Sequence, residues 1–129
     1  AGYEIPKDYV KNGAHAIEFG YESMNTLLAL KNRPTAVFMS NYEITLGAVM
    51  AVNESGIQCP EEISMLGFDD LILSHVVKPR MNMVVQPMKE MSEKAVEMLL
   101  KRINSKEQEF PMEIVMSTIV QEGNSIAKI

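Results

Sequence analysis

Two short apolar segments, separated by a stretch with helical periodicity, constrain the fold of this chain more than any other feature. The segments are "TAVFM", residues 35–39, and "SMLGF", residues 64–68, and each is typical of a buried strand. Between them, "NYEITLGAVMAVNESG" spaces its apolar residues three and four apart, with Asn41 as the predicted N-cap and Gly56 as the C-terminal stop. A strand, a helix and a second strand in this order are typical of parallel βαβ units, so the sequence predicts an α/β fold with a parallel sheet flanked by helices.

The remaining segments follow the same alternation less regularly. Helices are predicted over "GYESMNTLLALKN", residues 20–32, and over "MKEMSEKAVEMLLKRINS", residues 88–105, which is the most clearly amphipathic stretch of the chain. Strands are predicted over "MNMVV", residues 81–85, and over "FPMEIVMSTIVQEG", residues 110–123. The apolar stripes consist of Tyr21, Met24, Leu27 and Leu28 on the first helix, and of Met88, Met91, Ala95, Met98, Leu99 and Ile103 on the last.

Length and charge limit the kind of protein. With 129 residues, 47% of them hydrophobic, the chain has the size of one ordinary domain and can bury a core. The formal net charge of −5 is spread along the chain, and the longest basic cluster is Lys101 with Arg102. Because nucleic-acid binding requires Lys and Arg concentrated on one face, this segment is not expected to contact DNA directly.

The number of cysteines and the hydropathy of the sequence indicate in which cellular compartment the chain resides. The single cysteine, Cys59, excludes an internal disulfide and fits a reducing environment. No apolar run approaches the roughly 18 residues of a membrane span, and the first residues, "AGYEIPKDYV", lack the pattern of a signal peptide. We therefore expect a soluble, unsecreted chain that resides in the cytoplasm.

Polar residues follow both central strands at the point where each strand ends. Ser40 and Asn41 come after "TAVFM", and Asp69 and Asp70 come after "SMLGF". Two adjacent carboxylates repel each other unless water, donors or a cation relieves them, so the pair is either solvated or used to bind something. Ligands of open α/β sheets bind at the carboxyl ends of the strands, and we expect both polar clusters to lie on that edge. The alternative is that the two aspartates merely cap the following turn.

Other chemistries find little support in the sequence. The candidate metal ligands His15, Cys59, Asp69 and His75 show no ligand-like spacing, so neither a metal nor a cofactor is expected. The nucleophile motif G-x-S-x-G and glycine-rich phosphate loops do not occur. Adjacent carboxylates at a strand end normally diverge, which makes acid–base catalysis of glycoside hydrolysis improbable. The sequence therefore favours a binding domain over an enzyme.

Three stretches of the chain resemble the lactose/galactose repressor family of bacterial transcription regulators. These are "RPTAVFMSNYEITLGAVMAVNESGIQCPEEISMLGFDDL", "VVQPMKEMSEKAVEMLLKRI" and the opening "AGYEIPKDYVKNGAHAIEFGYESMNTLLAL", and they keep both their order and their spacing. The resemblance implies a Rossmann-like, periplasmic-binding-protein-like effector domain of class I. In that family the effector domain has two lobes and follows a helix-turn-helix DNA-binding module, which this chain lacks.

The resemblance also implies how the chain is divided between the two lobes. Residues 1–85 and 117–129 would belong to the carboxyl-terminal lobe. Residues 86–116 would cross over to the amino-terminal lobe, so that the apolar stripe of the last helix would have lost its usual partner. Residues 1–129 would then form a partial effector-binding domain.

Five residues match effector-binding positions of the family. Asp69 matches a carboxylate that accepts hydrogen bonds from the effector, and Asn41 matches a second polar contact that could equally be a plain N-cap. Tyr42 stands where an acidic residue is usual and would narrow or redirect specificity. His15 matches a position that often carries a stacking aromatic, although a loop histidine is commonly an exposed bystander. Gln86 matches a residue at the lobe crossover, with either a ligand or a hinge role.

The resemblance further implies a homodimer that responds to a small molecule. Four apolar residues fall where the subunits of the family meet, with ordinary core packing as the alternative: Leu46, Met50, Val76 and Val77. The function implied is that of the effector-sensing and dimerisation part of a repressor, which binds a sugar-like effector and reaches operator DNA only through the missing module. A periplasmic sugar receptor of a transport system shares the fold and is the alternative. The sequence does not identify the effector.

Overall fold

The computed structural model describes residues 2, 4–69, 72–104 and 111–128. After a single 3₁₀ turn, helices and strands alternate along the chain. The helices are α1 (Ile17–Leu28), α2 (Tyr42–Ser55), α3 (Leu73–Val76) and α4 (Met88–Asn104). The strands are β1 (Ala36–Phe38), β2 (Ser64–Phe68), β3 (Asn82–Val85) and β4 (Ile119–Gln121).

The four strands form one sheet in the order β1-β2-β3-β4. The β1–β2 and β2–β3 pairs are parallel, and β4 runs antiparallel to β3. The predicted α/β class is therefore confirmed, with an antiparallel strand added at one side of a parallel sheet. Such mixed sheets are common among α/β folds.

Methionine side chains fill much of the core between the sheet and the helices. Each of five methionines is at most 2% exposed, namely Met24, Met39, Met65, Met81 and Met83. They pack with small residues of α2, including Ala48 and Ala51. Because methionine is unbranched and adaptable, it fills irregular gaps beside such small residues.

Helices α1 and α2 touch backbone to backbone near their first turns. A Cβ atom at Gly47 would overlap the carbonyl oxygen of Ile17, and one at Gly20 would overlap the carbonyl oxygen of Ile44. Only glycine permits this approach, since any side chain would force the helices apart. The contact fixes the beginning of α1 against the beginning of α2.

A buried polar network fastens the last described residues to the sheet. The Ser125 hydroxyl donates to the Met65 carbonyl oxygen at 2.6 Å and accepts from the Asn82 amide at 2.8 Å. The Ser125 amide donates to the Asn82 side-chain oxygen at 3.0 Å. Residues that follow β4 are thus bound to both β2 and β3, although they form no regular strand themselves.

Two sequence predictions require correction. The strand predicted over residues 110–123 is present only at Ile119–Gln121, because β3 offers just Met83–Val85 as partners; residues 105–110 lie outside the described part of the chain. Strand β1 is not fully buried, since it lies at the sheet edge and Phe38 is 57% exposed.

Helix α4 has an apolar stripe that is largely exposed to solvent. The helix forms over nearly the predicted residues, yet none of its described side chains is buried. Met88, Leu99 and Ile103 are more than half exposed. Met91, Ala95 and Met98 line one open cavity with Ile114 and Met116, but no described side chain of the helix is buried. In that same part of the chain, no helix is both long enough and apolar enough to span a bilayer.

Candidate functional site

The polar residues that follow β1 and β2 lie at one edge of the sheet. Phe38 pairs with Leu66 in the parallel ladder, and the Met39 amide donates to the Leu66 carbonyl oxygen at 2.9 Å. Asn41 and Asp69 each come three residues after this Phe38–Leu66 pair. The predicted sharing of one carboxyl edge is therefore confirmed, and it places the two side chains on neighbouring strand ends.

Asn41 is held in place as the N-cap of α2. Its Oδ1 atom accepts a hydrogen bond from the Ile44 amide at 2.8 Å, as predicted for an N-cap. The half-buried side chain keeps its Nδ2 group free of hydrogen bonds to any residue within the described ranges. A fixed amide donor therefore stands at the positive end of the α2 dipole, where partial negative charge on a ligand is stabilised.

Asp69 has an unusual backbone conformation. With φ at 65° it is the one non-glycine residue of the described ranges in the left-handed region, which costs free energy for most side chains. Two hydrogen bonds hold it there. Its amide donates to the Val84 carbonyl oxygen at 3.0 Å, and its Oδ1 atom accepts from the Gln86 side chain at 2.5 Å. Strained residues that the surrounding structure fixes in this way are concentrated at functional sites.

Gln86 joins the end of β3 to the start of α4 and is half-buried. Its Nε2 group binds Asp69 Oδ1, so the second carboxylate oxygen, Oδ2, is left without a hydrogen bond to the residues that the structure describes. The structure therefore brings two predicted site residues into direct contact. Gln86 orients the carboxylate and leaves one oxygen for an additional donor.

The other predicted site residues, Tyr42 and His15, differ in their exposure to solvent. Tyr42 follows Asn41 directly, is half-buried and packs against the core. His15 is exposed in the loop before α1, and it forms no hydrogen bond with the other four predicted residues. Asp70, the acidic neighbour of Asp69, lies outside the described residues. The structure thus groups Asn41 and Tyr42 on one strand end and Asp69 with Gln86 on the next two.

Sequence reasoning missed an aromatic pair at the same edge. Phe38 and Phe68 end β1 and β2, and their rings meet edge to face with centroids 6.4 Å apart. The signal was available, because Phe68 directly precedes Asp69 and Phe38 stands two residues before Ser40. An aromatic surface next to a few fixed polar groups is typical of small-molecule sites.

The four residues predicted at a dimer interface divide into two groups. Leu46 and Val77 are half-buried and pack against the core, in keeping with the alternative that they are ordinary core residues. Met50 and Val76 are 42% and 64% exposed. Their chain neighbours Val49 and Val77 line one small cavity. Both exposed apolar side chains remain available for a partner.

The chain matches a family profile described as a periplasmic binding protein-like domain over residues 1–126. Among curated proteins it is similar to the HTH-type transcriptional repressor PurR of Pasteurella multocida, with 39% identity over 109 residues, covering 84% of this chain and 33% of the repressor. The chain spans about a third of the length of the curated repressors it matches.

Solved structures similar to this chain are also transcriptional regulators. A transcriptional regulator CelR–cellobiose complex superposes with a TM-score of 0.87 at 27% identity, covering 96% of this chain and 38% of the regulator. A LacI family transcriptional regulator from Enterococcus faecium with bound ribose superposes with a TM-score of 0.77, also at 27% identity, covering 88% of this chain and 41% of that one.

Proposed function

Because this chain belongs to the periplasmic binding protein-like domain family, in the form found in lactose/galactose-type repressors, we propose that it is the effector-binding and dimerisation region of a bacterial transcriptional regulator. The observation that carries the proposal is the geometry at the sheet edge. An N-cap amide at Asn41 and an oriented carboxylate at Asp69 follow neighbouring parallel strands, each with hydrogen-bonding capacity left for a guest. Its relatives are repressors, in keeping with binding rather than catalysis.

A sugar-like molecule suits these groups best. A carboxylate accepts hydrogen bonds from hydroxyl groups, and the Asn41 amide donates to their oxygens. The phenylalanine pair offers an apolar surface to the carbon face of a ring. The cellobiose and ribose found in the two superposed regulators belong to this chemical class. Tyr42 and His15 complete the proposed contact set, with Tyr42 restricting the shape of the effector.

We also propose the division of the chain between two lobes. Residues 1–85 and 117–129 form one lobe, and the Ser125 network supports this by binding the final segment to β2 and β3. Residues 86–116 belong to a second lobe, most of which lies outside this sequence. The absence of any buried side chain among the described residues of α4 supports that assignment, because a helix with an apolar stripe normally packs against another element.

The mechanism follows from this arrangement. An effector held between the lobes binds one arrangement of the lobes more tightly than the other, and it thereby stabilises that arrangement. In a homodimer that arrangement sets the position of two DNA-binding modules on operator DNA, and a coupling of about 1–3 kcal/mol is typical. Gln86 connects the Asp69 carboxylate to the start of α4, where the chain passes between the lobes. Control of operator DNA would place the protein in the cytoplasm.

The exposed pair Met50 and Val76 provides a test of the dimer. In the longer protein of which this chain is a part, Met50→Lys with Val76→Lys should weaken self-association at least tenfold in sedimentation equilibrium, since charge replaces apolar contact area. A control is Ala29→Lys, which places a charge on an exposed residue at the end of α1, within the same lobe. Equal association of both variants would refute the interface.

A periplasmic sugar receptor is the alternative function, since the family profile takes its name from such proteins. The amino-terminal part of the longer protein decides between the two. A helix-turn-helix module would support a regulator, and a signal peptide would support a receptor.

The site itself is tested by ligand-dependent thermal unfolding of the longer protein. We would screen ribose, cellobiose and nucleobases against the natural sequence, Asp69→Asn, and the control Asp8→Asn, which neutralises an exposed carboxylate. A compound that stabilises the natural sequence should still stabilise the control. Asp69→Asn should weaken its binding about 10- to 150-fold, the equivalent of one charged hydrogen bond of about 1.5–3 kcal/mol. An unchanged response of Asp69→Asn would contradict the site.

A further inference from the structure

The two strand ends that form the candidate site come from a part of the chain without basic residues. From Pro34 to Val77 the sequence contains neither Lys nor Arg. This stretch includes β1, α2 and β2 with their connecting loops. Its carboxylates are Glu43, Glu54, Glu61, Glu62, Asp69 and Asp70. The polar groups of Asn41 and Asp69 are therefore set in a segment whose formal charges are all negative.

Cations of the surrounding segments lie near the starts of the strands. These are Lys31 and Arg33 before β1, Lys78 and Arg80 before β3, and Lys128 near β2. Arg33 forms an ion pair at 2.8 Å with Glu62, which itself precedes β2. The amide of Ala127, next to Lys128, donates to the hydroxyl of Ser64, the first residue of β2, at 3.0 Å. Since the parallel strands run in one direction, these cations lie at the edge opposite the candidate site, about 13 Å away along β2.

The opening segment contributes two more cations, Lys7 and Lys11. Lys7 begins the 3₁₀ turn at residues 7–9. Lys11 lines a cavity beside the end of β1, together with Ser40 and with residues of α1 and α2. Neither Asn41 nor Asp69 lines that cavity. Lys11 therefore approaches the candidate site at Ser40 but borders a separate cavity.

The cations of α4 are paired with carboxylates or lie far from the start of the helix. Lys94 forms an ion pair with Glu97 at 2.6 Å, and Lys89, whose side chain is 89% exposed, lies 4.0 Å from Glu93. The last turn holds the other two basic residues of the helix. At a rise of about 1.5 Å per residue, that turn is about 20 Å from the start of the helix. The remaining cation of the sequence, Lys106, lies outside the described residues.

Within the described ranges, no cation is paired with the carboxylate of Asp69. The hydrogen bond to its Oδ1 atom comes from the neutral side-chain amide of Gln86, and the ion pairs of the described residues do not include it. The positive end of the α2 dipole is offset by Glu43 in the first turn of that helix. An anionic group held about 8 Å from Asp69 would therefore be repelled, which lowers affinity about 30-fold at an effective dielectric constant of about 20.

We propose that the part of the effector that faces this lobe is uncharged or positively charged, and that the site rejects anionic derivatives such as sugar phosphates and uronic acids. The inference rests on the function proposed above and deepens it. A carboxylate accepts hydrogen bonds from hydroxyl or ammonium groups, whereas an anionic ligand is stabilised by Arg or Lys. Phosphoryl transfer to the effector would thus end its binding, and the protein would distinguish a free sugar from its phosphate.

Isothermal titration calorimetry of the longer protein tests this inference with two series of sugars. Glucose, 6-amino-6-deoxyglucose and glucuronate are similar in size but carry no charge, a positive charge and a negative charge at the same carbon. Ribose and ribose 5-phosphate form the second series. At an ionic strength of about 20 mM, the anion of each series should bind at least tenfold more weakly than the uncharged sugar. Added salt should reduce this difference, because it screens the repulsion.

The two series separate a failure of this inference from a failure of the proposed function. If an anion binds as tightly as its uncharged counterpart, the inference is wrong, although the sugar site remains. A difference that does not depend on salt would also overturn the inference, since the anion would then be rejected by its shape. If no member of either series binds, the proposed sugar-binding function fails, and the inference fails with it.

Three variants locate the source of the discrimination between charges. Asp69→Asn removes the negative charge and should reduce the ratio of uncharged to anionic affinity at least fivefold. Asp8→Asn neutralises an exposed carboxylate outside the site and should leave that ratio within twofold. Lys11→Met should leave it within twofold as well, because Lys11 borders a separate cavity. An anion whose binding depends on Lys11, or a ratio that is unchanged in Asp69→Asn, would overturn the inference.

Discussion

Ser125 connects the end of the chain to the centre of the sheet, and replacing it by alanine tests whether that connection stabilises the fold. The side chain is fully buried. Its hydroxyl donates to the Met65 carbonyl oxygen at 2.6 Å and accepts from the Asn82 amide at 2.8 Å. The two backbone hydrogen bonds of Ser125, to the Asn82 side chain and from the Met65 amide, survive the substitution.

The expected cost follows from these contacts. Ser125→Ala leaves the amide of Asn82, a residue only 9% exposed, without its acceptor. A buried donor without a partner costs about 1–3 kcal/mol, and the lost bond to Met65 adds about 1 kcal/mol. We expect a total loss of about 2–4 kcal/mol in the free energy of unfolding. For a domain of this size, about 3–4 °C per kcal/mol converts this to a decrease of about 6–16 °C in Tm.

Urea unfolding followed by circular dichroism measures this change. The control is Ser92→Ala on the exposed face of α4, where the Ser92 hydroxyl donates to the Met88 carbonyl oxygen at 2.7 Å. That substitution should change stability by less than about 0.5 kcal/mol, because alanine is the better helix former. If Ser125→Ala is no more destabilising than Ser92→Ala, the reasoning about the buried network is wrong.

Three further predictions concern single residues. Gly47→Ala should lower the free energy of unfolding by about 1–3 kcal/mol in urea titrations, because its Cβ would overlap the Ile17 carbonyl oxygen; wild-type stability would contradict the close contact. Asn41→Ala should lower the free energy of unfolding by about 1 kcal/mol, because the N-cap hydrogen bond is lost. Asn41→Ser should keep most of that stability, since serine is also a good N-cap. Equal losses of stability in the two variants would exclude a capping role. Burial and the nearby Glu61 raise the pKa of the Cys59 thiol from 9.0 to about 11, so at pH 8 the folded chain should react about 100-fold more slowly with a disulfide reagent than the urea-unfolded chain. Equal reaction rates of the folded and unfolded chains would show that the thiol is not shielded. Because the pKa of the thiol is higher in the folded chain, the stability linked to it is fully present below pH 9 and is lost as the pH rises through about 11.

Local sequence signals predicted most of the regular structure. The N-cap Asn41 and the left-handed Gly56 bound α2 as expected, because capping depends on residues within one turn. Strand β3 and helix α4 also form where the periodicity placed them. The sharing of one edge by Asn41 and Asp69 followed from the βαβ order, which forces the ends of parallel strands together.

Features that depend on distant parts of the chain were not predictable in this way. The hydrogen bond from Gln86 to Asp69 requires the β2–β3 register, which no local pattern encodes. The short β4 reflects the length of its partner β3, and the exposure of Phe38 reflects the position of β1 at the sheet edge. The apolar stripe of α4 predicted a helix correctly but could not show which surface covers it.

The most direct test of a small-molecule site is a crystal structure of the longer protein with a compound that stabilises it in the thermal screen. The account predicts the compound at the carboxyl edge of the sheet. Polar atoms of the compound should lie within about 3.2 Å of both Asp69 Oδ2 and Asn41 Nδ2, and the hydrogen bond from Gln86 to Asp69 should be retained. A compound bound with neither Asn41 nor Asp69 within hydrogen-bonding distance would contradict it.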